Sequence, residues 1–269
     1  MTKNNRVRVK RVSGILFCTL VYLFLFLPIA VIIANSFNAT TVKPYLSWKG
    51  FSFTWYSRLW KNQSLLQSFA NTMIIAAVST ISSTIIGTLA AVGMYRYKFK
   101  GKTVIDSLLY IPVVIPEIVL GISLLTLFAT IHIPRGMITL ALSHITFCIP
   151  FVIFNIRARL SGYDVSVEEA SMDLGADRVT TFFKITLPIL APGIAGGALL
   201  AITLSIDDVI ISYFVNGQVK TYPLKVMESI KSGVSPDVNA LSALILAGTI
   251  FVVVLTQSNL LKQRNGGKR

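Results

Sequence analysis

Six long apolar stretches run through this 269-residue sequence and limit the folds that it can adopt. A transmembrane helix needs about 20 mostly apolar residues, and each stretch is long enough to form one. They run from Ser13 to Asn35, Phe69 to Tyr95, Val104 to Thr130, Met137 to Asn155, about Ile189 to Phe214, and about Val238 to Leu260. Strands of a membrane β-barrel would be about 10 residues long and would alternate in hydrophobicity. The sequence therefore predicts an all-α, polytopic membrane protein with six transmembrane helices.

The composition agrees with this prediction and excludes other classes. The chain is 54% hydrophobic and 13% charged, whereas about 25% of the residues in an ordinary soluble domain are charged. Intrinsic disorder requires low hydrophobicity. Two cysteines and two histidines are too few for a disulfide framework or a typical zinc site. The net charge of +14 does not indicate nucleic-acid binding, because no basic patch with interleaved aromatic residues lies on a soluble face.

The basic residues predict the orientation of the chain. Most of the 25 Lys and Arg residues lie before the first stretch, after the second, between the fourth and fifth, and in the tail. Because Lys and Arg are in excess on the cytoplasmic side, we expect both termini there. The first stretch exceeds the roughly 7–15 apolar residues of a signal peptide, and no A-x-A site ends it. We therefore expect it to remain as a helix.

The predicted external loop, Ser36 to Ser68, is rich in aromatic residues: Trp48, Phe51, Phe53, Trp55, Tyr56 and Trp60. Aromatic side chains beside a span are typical of the membrane interface, and we favour an interfacial anchor over a docking surface for an external partner. The same loop carries four basic residues and no acid, which makes it a candidate for docking an acidic binding protein. These four are Lys43, Lys49, Arg58 and Lys61.

The predicted cytoplasmic loop, Ala158 to Pro188, has the pattern of two short helices. Ser166 and Glu169 have the spacing of a capping box, and Gly175 suits the left-handed position that ends a helix. Two sets of residues then fall at helical spacing: Val167, Ala170, Ser171 and Leu174, followed by Val179, Phe182, Phe183 and Thr186. Pro188 ends the second helix or begins the fifth span. We expect a compact protrusion that can transmit force.

This loop resembles the EAA loop of ABC importer permeases, EAA-x3-G-x9-I-x-L-P. The matching residues are Glu169, Ala170, Ser171, Gly175, Ile185, Leu187 and Pro188. The spacing agrees at every position, and Ser171 replaces the second alanine. The resemblance implies that these residues couple the chain to a cytoplasmic ATPase. A Walker A loop is absent near Gly101-Lys102-Thr103, because Arg96 stands where its first glycine would be, so ATP is expected to bind a separate subunit.

Further stretches resemble the permease subunits of spermidine/putrescine importers, of the PotC type. They are Tyr95–Gly101, Ser143–Phe151, Ser205–Val209, Pro223–Lys225 and Gly233–Ala240. The resemblance implies a MetI-like, type I ABC importer permease. Its parts would be residues 1–66 (first helix and external loop), 67–258 (transmembrane core, with the coupling loop at about 158–188) and 259–269 (basic cytoplasmic tail). It also implies a PotB-like second permease subunit, a PotA-like ATPase dimer and a PotD-like external binding protein, and no cofactor of the chain's own.

Three acids lie well inside the apolar stretches: Glu117, Asp207 and Asp208. An ionised acid at mid-span costs about 2.5–3.5 kcal/mol on insertion scales, and such residues typically mark an ion or substrate path. On a continuous helix, Asp207 and Asp208 would point about 100° apart, so one can face a path and the other a neighbouring helix. Pro112 and Pro116 loosen the third span beside Glu117. The alternative is that these acids pair with basic residues of the other permease or lie at a helix end.

Carboxylates in a membrane passage would compensate the dehydration of a polyamine's ammonium groups. Together with the resemblance, they imply a permease subunit that imports polyamines by alternating access. Alternatives are another small solute, such as thiamine or ferric iron, or an ion-driven secondary transporter, although the internal repeats expected of the latter are not visible. We expect His144 to be hydrogen-bonded within the bundle rather than to relay protons. Cys18 and Cys148 are expected to be small apolar fillers, and Gly87 and Ala91 a small-residue helix contact.

Overall fold

The computed structural model describes residues 3–41 and 47–266, which form twelve α-helices and one π-helical turn. The α-helices are α1 (Lys3–Ser36), α2 (Thr54–Leu59), α3 (Gln63–Arg96), α4 (Lys102–Val114), α5 (Glu117–Thr130), α6 (Met137–Leu160), α7 (Ser166–Asp173), α8 (Arg178–Thr181), α9 (Leu187–Asp207), α10 (Ile210–Val215), α11 (Tyr222–Ser232) and α12 (Pro236–Gly266). The π-turn, Phe182–Thr186, joins α8 to α9. The prediction of an all-α membrane protein is confirmed for these residues.

Four helices are long and apolar enough to cross a membrane: Ser13–Ser36 within α1, Gln63–Arg96, Met137–Leu160, and the continuous helix Arg178–Asp207. Helices α4 and α5 form a fifth candidate as a pair bent by 112°. The apolar part of α12 whose side chains are described, Pro236–Phe251, is shorter than a span. The described residues thus hold four or five candidate spans, and the count of six stays a prediction.

The third predicted span, Val104 to Thr130, is not one continuous helix. Ile115 and Pro116 are extended, with ψ values of 136° and 134°. The residue before a proline is disfavoured in the helical region, so Ile115 ends α4 and Glu117 begins α5. The loosening expected from the prolines is therefore a complete break, and it places Glu117 at a helix N-terminus.

The fifth predicted span, Ile189 to Phe214, is also broken. Helix α9 ends at Asp207, because Asp208 is extended with φ −62° and ψ 125°. The Asp208 carboxylate then accepts the backbone N–H groups of Ile211 (3.2 Å) and Ser212 (2.8 Å) at the start of α10. The expectation that both aspartates lie on one helix was wrong, since a broken backbone separates them.

The chain divides into two compact units. The first contains α1, α2 and α12. Its loop folds around Trp55, whose indole N–H donates to the Asn38 carbonyl at 2.7 Å, and an aromatic cluster of Phe37, Phe51, Phe53 and Tyr56 lies beside it. Asn62 donates to the Asp237 carboxylate at 2.6 Å. The interfacial role predicted for these aromatics is not tested by this packing.

The second unit is built around α6, which packs against α9, α4 and α10. A Cβ atom placed on Gly87 would lie 2.7 Å from Val152 Cγ1, and one on Gly197 would lie 3.2 Å from Val152 Cα. The glycines therefore allow α3 and α9 to approach α6 closely, as the small-residue pattern predicts. Cys148 is buried in this core, as predicted, whereas Cys18 is exposed on α1 among the described residues.

Candidate functional site

The loop between α6 and α9 folds as predicted at its centre. We call residues 163–186 the elbow. Helix α7 ends in a Schellman motif, with Ala176 N–H bonded to the Ser171 carbonyl (3.1 Å) and Gly175 N–H to that of Met172 (2.9 Å). Gly175 has φ +91°, which glycine adopts with little steric cost. The predicted helix end at Gly175 is confirmed.

The predicted capping box at Ser166 and Glu169 was wrong. Helix α7 begins one residue earlier than that box requires, with Val165 at the N-cap and no side chain capping it. Instead, Asp164 Oδ1 accepts the Ser166 N–H at 3.0 Å, and this backbone hydrogen bond lowers the pKa of the Asp164 carboxyl. Glu169 is exposed to solvent. An Asx-type turn has taken the place of the box, because an aspartate two residues upstream competes for the same backbone donors.

The second half of the elbow runs directly into the span. Asp177 accepts the Thr180 N–H at 3.0 Å and caps α8, and hydrogen bonding from the Thr180 side chain and then from its backbone N–H lowers the pKa of the Asp177 carboxyl. The helix then widens into the π-turn before Pro188, which lies in the first turn of α9. Since proline has no N–H to donate, the wider turn precedes it. The predicted second helix therefore corresponds to α8 and the π-turn. These run without a break into α9 and do not form a separate helix.

A buried carboxylate holds the elbow against the spans. Glu168, 6% exposed, accepts three hydrogen bonds at Oε1, each 2.6 Å long, from Arg96, Tyr163 and Thr186. Arg96 also donates to the Thr186 hydroxyl at 2.9 Å. Burial raises the pKa of Glu168, but the bonds from Thr186, Tyr163 and Arg96, with the charge of Arg96, bring it below its ordinary value. The ionised carboxylate thus joins α7, the end of α3 and the π-turn.

Sequence reasoning missed this cluster. It singled out Glu169, which is exposed, and gave no role to Glu168, Arg96, Tyr163 or Thr186. Glu168 carries no signal of its own in the sequence, since its partners come from positions far apart in the chain. The burial of Tyr163 and its bond to Glu168 raise the pKa of the phenol to about 12, so Tyr163 stays protonated and donates.

The outer surface of the elbow carries three exposed apolar side chains among its charged residues. Leu174 is 91% exposed, Val179 63% and Phe183 60%. Of the predicted coupling residues, Glu169, Ala170, Gly175 and Pro188 are exposed, and Ser171, Ile185 and Leu187 are half-buried. Exposed apolar patches mark interaction sites. The elbow therefore buries a charge network and presents hydrophobic side chains outward.

A second polar cluster lies inside the bundle at the break between α9 and α10. Asp208, 7% exposed, has Oδ2 3.3 Å from Nε2 of His144. The two ring nitrogens of His144 lie 2.7 Å from the Ser205 hydroxyl and 3.0 Å from that of Ser212. The expectation that His144 is hydrogen-bonded within the bundle is confirmed. Asp208 therefore points into the core, where it fixes the helix break.

Asp207 and Glu117 have different surroundings from Asp208. Both are exposed, and Glu117 lies within electrostatic range of both aspartates. Helices α5 and α10 pack together, and Gly121 allows this, since a Cβ there would lie 2.7 Å from the Phe214 ring. Tyr213 beside this contact is 59% exposed. The structure thus brings two of the three predicted path residues to accessible positions at neighbouring helix breaks and buries the third.

Discontinuous membrane helices commonly form the substrate sites of transporters. Residues 83–261 match the family described as binding-protein-dependent transport system inner membrane component, and the chain belongs to this family. It is 43% identical over 242 residues to the spermidine/putrescine transport system permease protein PotC of Escherichia coli (strain K12), covering 90% of this chain and 91% of that protein.

A second relative and a solved structure agree with the family. The putrescine transport system permease protein PotI of Escherichia coli (strain K12) is 38% identical over 258 residues, covering 93% of this chain and 91% of that protein. A chain of a bacterial ABC transporter involved in alginate import matches with a TM-score of 0.74 at 16% identity, covering 96% of this chain and 98% of that chain. The fold is therefore that of an ABC importer permease, and the chain is a multi-pass transport protein of the bacterial inner membrane.

Proposed function

We propose that this chain is the permease subunit of an ATP-driven ABC importer that moves polyamines into the cell. The observation that carries the proposal is the pair of exposed carboxylates, Asp207 and Glu117, at neighbouring helix breaks. A polyamine carries several ammonium groups, and acids in a low-dielectric passage offset the cost of dehydrating them. The similarity to PotC and PotI, whose names specify spermidine and putrescine, supports the same substrate class.

In this proposal Asp207 and Glu117 contact the substrate, and Asp208 is a positioning residue. Asp208 is bound to His144 and to two backbone N–H groups, so its lone pairs are largely occupied. The exposed ring of Tyr213 adds a face for cation–π attraction. The three predicted path residues therefore divide into two contacts and one support.

The topology follows from the same proposal. Six spans cross the membrane, with α12 as the sixth, and both termini and the elbow lie in the cytoplasm, where Lys and Arg are enriched. The transmembrane core covers residues 67–258. The tail 259–269 extends α12 as far as Gly266, and its last three residues lie outside the described ones.

The elbow docks a separate, PotA-like ATPase dimer, which binds and hydrolyses ATP. The exposed Leu174, Val179 and Phe183 supply the apolar contacts, and Glu169 to Gly175 with Ile185, Leu187 and Pro188 form the coupling segment. When ATP draws the ATPase subunits together, the elbow moves with them and the spans open outward. Hydrolysis returns the inward-facing state.

Two further partners complete the importer. A PotB-like permease forms the other half of the passage, and a PotD-like binding protein delivers the polyamine from outside. Lys49, Arg58 and Lys61 are exposed in the first external loop and would meet an acidic surface of that binding protein. Lys43, the fourth basic residue of this hypothesis, lies outside the described residues.

Uptake of labelled spermidine and putrescine tests the function. Cells that lack polyamine import should accumulate both substrates when this chain is expressed with its ATPase, second permease and binding protein. Uptake should persist with a protonophore and stop when ATP is depleted, whereas an ion-driven transporter would respond in the opposite way. Labelled thiamine and ferric iron serve as competing substrates, and uptake of either one without polyamine uptake would overturn the assignment.

Substitutions of the acids test the path. Asp207→Asn and Glu117→Gln should each lower polyamine uptake while the complex still assembles. Asp208→Asn should also lower uptake, because it weakens the hydrogen bonds that fix the helix break. Thr203→Ser, which retains a hydroxyl on the same helix, is the matched control. Unchanged uptake in both Asp207→Asn and Glu117→Gln would remove these carboxylates from the path.

A further inference from the structure

Helices α3 and α9 are joined by hydrogen bonds at two separate places. We call the one at the elbow the outer join and the one inside the bundle the inner join. At the elbow, Arg96 on the last turn of α3 donates to Glu168 and to Thr186, the residue before α9. Inside the bundle, the Ser79 hydroxyl of α3 donates to the Ser205 hydroxyl of α9 at 2.9 Å. Both places are buried or partly buried, so water competes weakly for these bonds.

The two joins lie far apart along each helix. At 1.5 Å per residue, they are separated by about 25 Å along α3 and about 28 Å along α9. Two helices joined at one point can pivot about it, but two distant joins resist both sliding and rotation. Glu168 therefore ties the elbow to a pair of helices rather than to α9 alone.

The inner join leads directly to the acid cluster at the helix break. Ser205 is bonded to His144 at 2.7 Å, and His144 contacts Asp208 at 3.3 Å. Asp208 in turn fixes the backbone that follows Asp207. A contiguous set of contacts thus runs from the elbow, along α3 and α9, to the break that presents Asp207.

We propose that the Arg96–Glu168 ion pair is a positioning contact that makes α3 and α9 move as one unit when the elbow is displaced, so that the motion reaches the Asp208 break. This inference rests on the proposed function, since it assumes that an ATPase displaces the elbow. Without the ion pair, the elbow would still continue into α9, but α3 would no longer follow it.

The coupling ratio, polyamine transported per ATP hydrolysed, tests the proposal in the full complex reconstituted into proteoliposomes. Glu168→Gln and Arg96→Gln should each reduce this ratio by about fivefold or more, while basal ATP hydrolysis and complex assembly persist. The matched control is Asp106→Asn, which removes the ion pair between Arg157 of α6 and Asp106 of α4 and leaves Arg96, Glu168 and the hydrogen bonds between them in place. Its coupling ratio should equal that of the wild type.

A second variant separates positioning from simple loss of stability. The exchanged pair, Arg96→Glu with Glu168→Arg, restores opposite charges and should recover at least about half of the wild-type ratio. Ser79→Ala removes the inner join and should lower the ratio as well. If both joins serve one unit, Ser79→Ala combined with Glu168→Gln should be no worse than the more severe single variant.

A cross-link tests rigid movement directly. With Cys18 and Cys148 replaced, Arg96→Cys and Glu168→Cys are bridged by a short bifunctional thiosulfonate, which should restore the coupling ratio lost in the unbridged double variant. Inhibition of uptake by the bridge, relieved by reductant, would show that the elbow slides past α3 and would overturn the proposal. So would a wild-type ratio in both Glu168→Gln and Arg96→Gln.

The control experiment distinguishes this inference from the proposed function. If the wild-type complex hydrolyses ATP without any response to a polyamine-loaded binding protein, the proposed function fails. If the wild type responds and the Arg96 and Glu168 variants respond equally, the function stands and the inference about α3 and α9 fails.

Discussion

Two pairs of adjacent acids, Glu168–Glu169 in the elbow and Asp207–Asp208 at the end of α9, divide in the same way. One member of each pair is buried and bound, and the other is exposed. The backbone achieves this differently in the two places. Glu168 and Glu169 lie on one helix, where successive residues point about 100° apart. Asp207 ends its helix and Asp208 is extended, so a break separates them.

The buried members also differ in their partners. Glu168 faces a guanidinium, which is always charged and forms directional hydrogen bonds. Asp208 faces an imidazole and backbone N–H groups. The elbow pair therefore depends on a single cation from a distant helix, whereas the acid at the break depends mainly on its own local backbone. This difference decides which substitutions should matter most.

The largest effect is expected from removal of the cation at the elbow. Arg96→Met would leave the buried Glu168 carboxylate without its charged partner, and breaking a buried ion pair costs about 3 kcal/mol or more. Thermal denaturation of this chain purified in detergent without the ATPase, where Glu169 is exposed, should show the loss. The matched control, Glu169→Gln, changes the exposed neighbour and should alter stability by less than about 0.5 kcal/mol. Equal effects of the two variants would show that the buried ion pair of Glu168 does not contribute to the free energy of unfolding.

The next effect is expected at the helix break. Asp208→Ala would leave two backbone N–H groups without their acceptor and would remove the carboxylate beside the His144 ring, at a cost of about 2 kcal/mol. Asp208→Asn retains one acceptor oxygen and should cost less. Asp207→Ala should leave the melting temperature of the complex unchanged and lower uptake instead. A stability loss at Asp207 as large as at Asp208 would contradict the division between contact and support.

The sequence predicted the parts of the fold that depend on local patterns. Apolar length located the four or five candidate spans of the described residues, and Gly175 marked the end of α7, because both signals come from contiguous sequence. The breaks at Ile115 and Asp208 were less visible, since a proline or an aspartate inside an apolar run is compatible with either a kink or a full break.

The roles of the three membrane acids and of the coupling loop stay predictions, and the sequence did not show their contacts. The structure adds that one acid of each adjacent pair is buried and the other is exposed. Glu168 is held by Arg96 and Thr186, and Asp208 by His144. These partners are far away in the sequence, and a single sequence carries no signal for such pairings.

A moderate effect is expected between the two regions, on α3 itself. Gly87→Ala would place a Cβ atom 2.7 Å from Val152, and overpacking of this kind costs about 1–3 kcal/mol. Gly93→Ala, one and a half turns further along the same helix, meets no atom within 4 Å and should be neutral or slightly stabilising, because alanine favours helices. Chemical denaturation of the two variants compares them. A neutral Gly87→Ala would mean that α3 can move away from α6 without cost.

The smallest effect concerns pH. The pKa of Glu168 is lowered in the folded chain, since the bonds from Thr186, Tyr163 and Arg96 outweigh burial. A carboxyl with a lowered folded-state pKa stabilises fully above its unfolded value, about 4.3 for Glu, and this contribution disappears as the pH falls through the folded-state value. A guanidinium such as that of Arg96 is always charged, and the Tyr163 phenol has a pKa of about 12. Arg178 and Tyr97 line the adjoining cavity of about 250 Å³.

Near neutrality Glu168, with its lowered pKa, stays ionised and Tyr163, with its raised pKa, stays protonated, so the stability difference between the wild type and Glu168→Gln should be constant from about pH 6 to pH 8. The difference should shrink only in acid, as Glu168 itself becomes protonated. Melting temperatures of the two complexes across this range provide the measurement, with Asp106→Asn as the matched ion-pair variant. If the difference in melting temperature between the two complexes changed by about 1 °C or more between pH 6 and pH 8, a group outside this cluster would control the elbow contact. In that case the permanent charge of Arg96 would not explain the difference between Glu168 in the elbow and Asp208, which contacts His144 at the helix break.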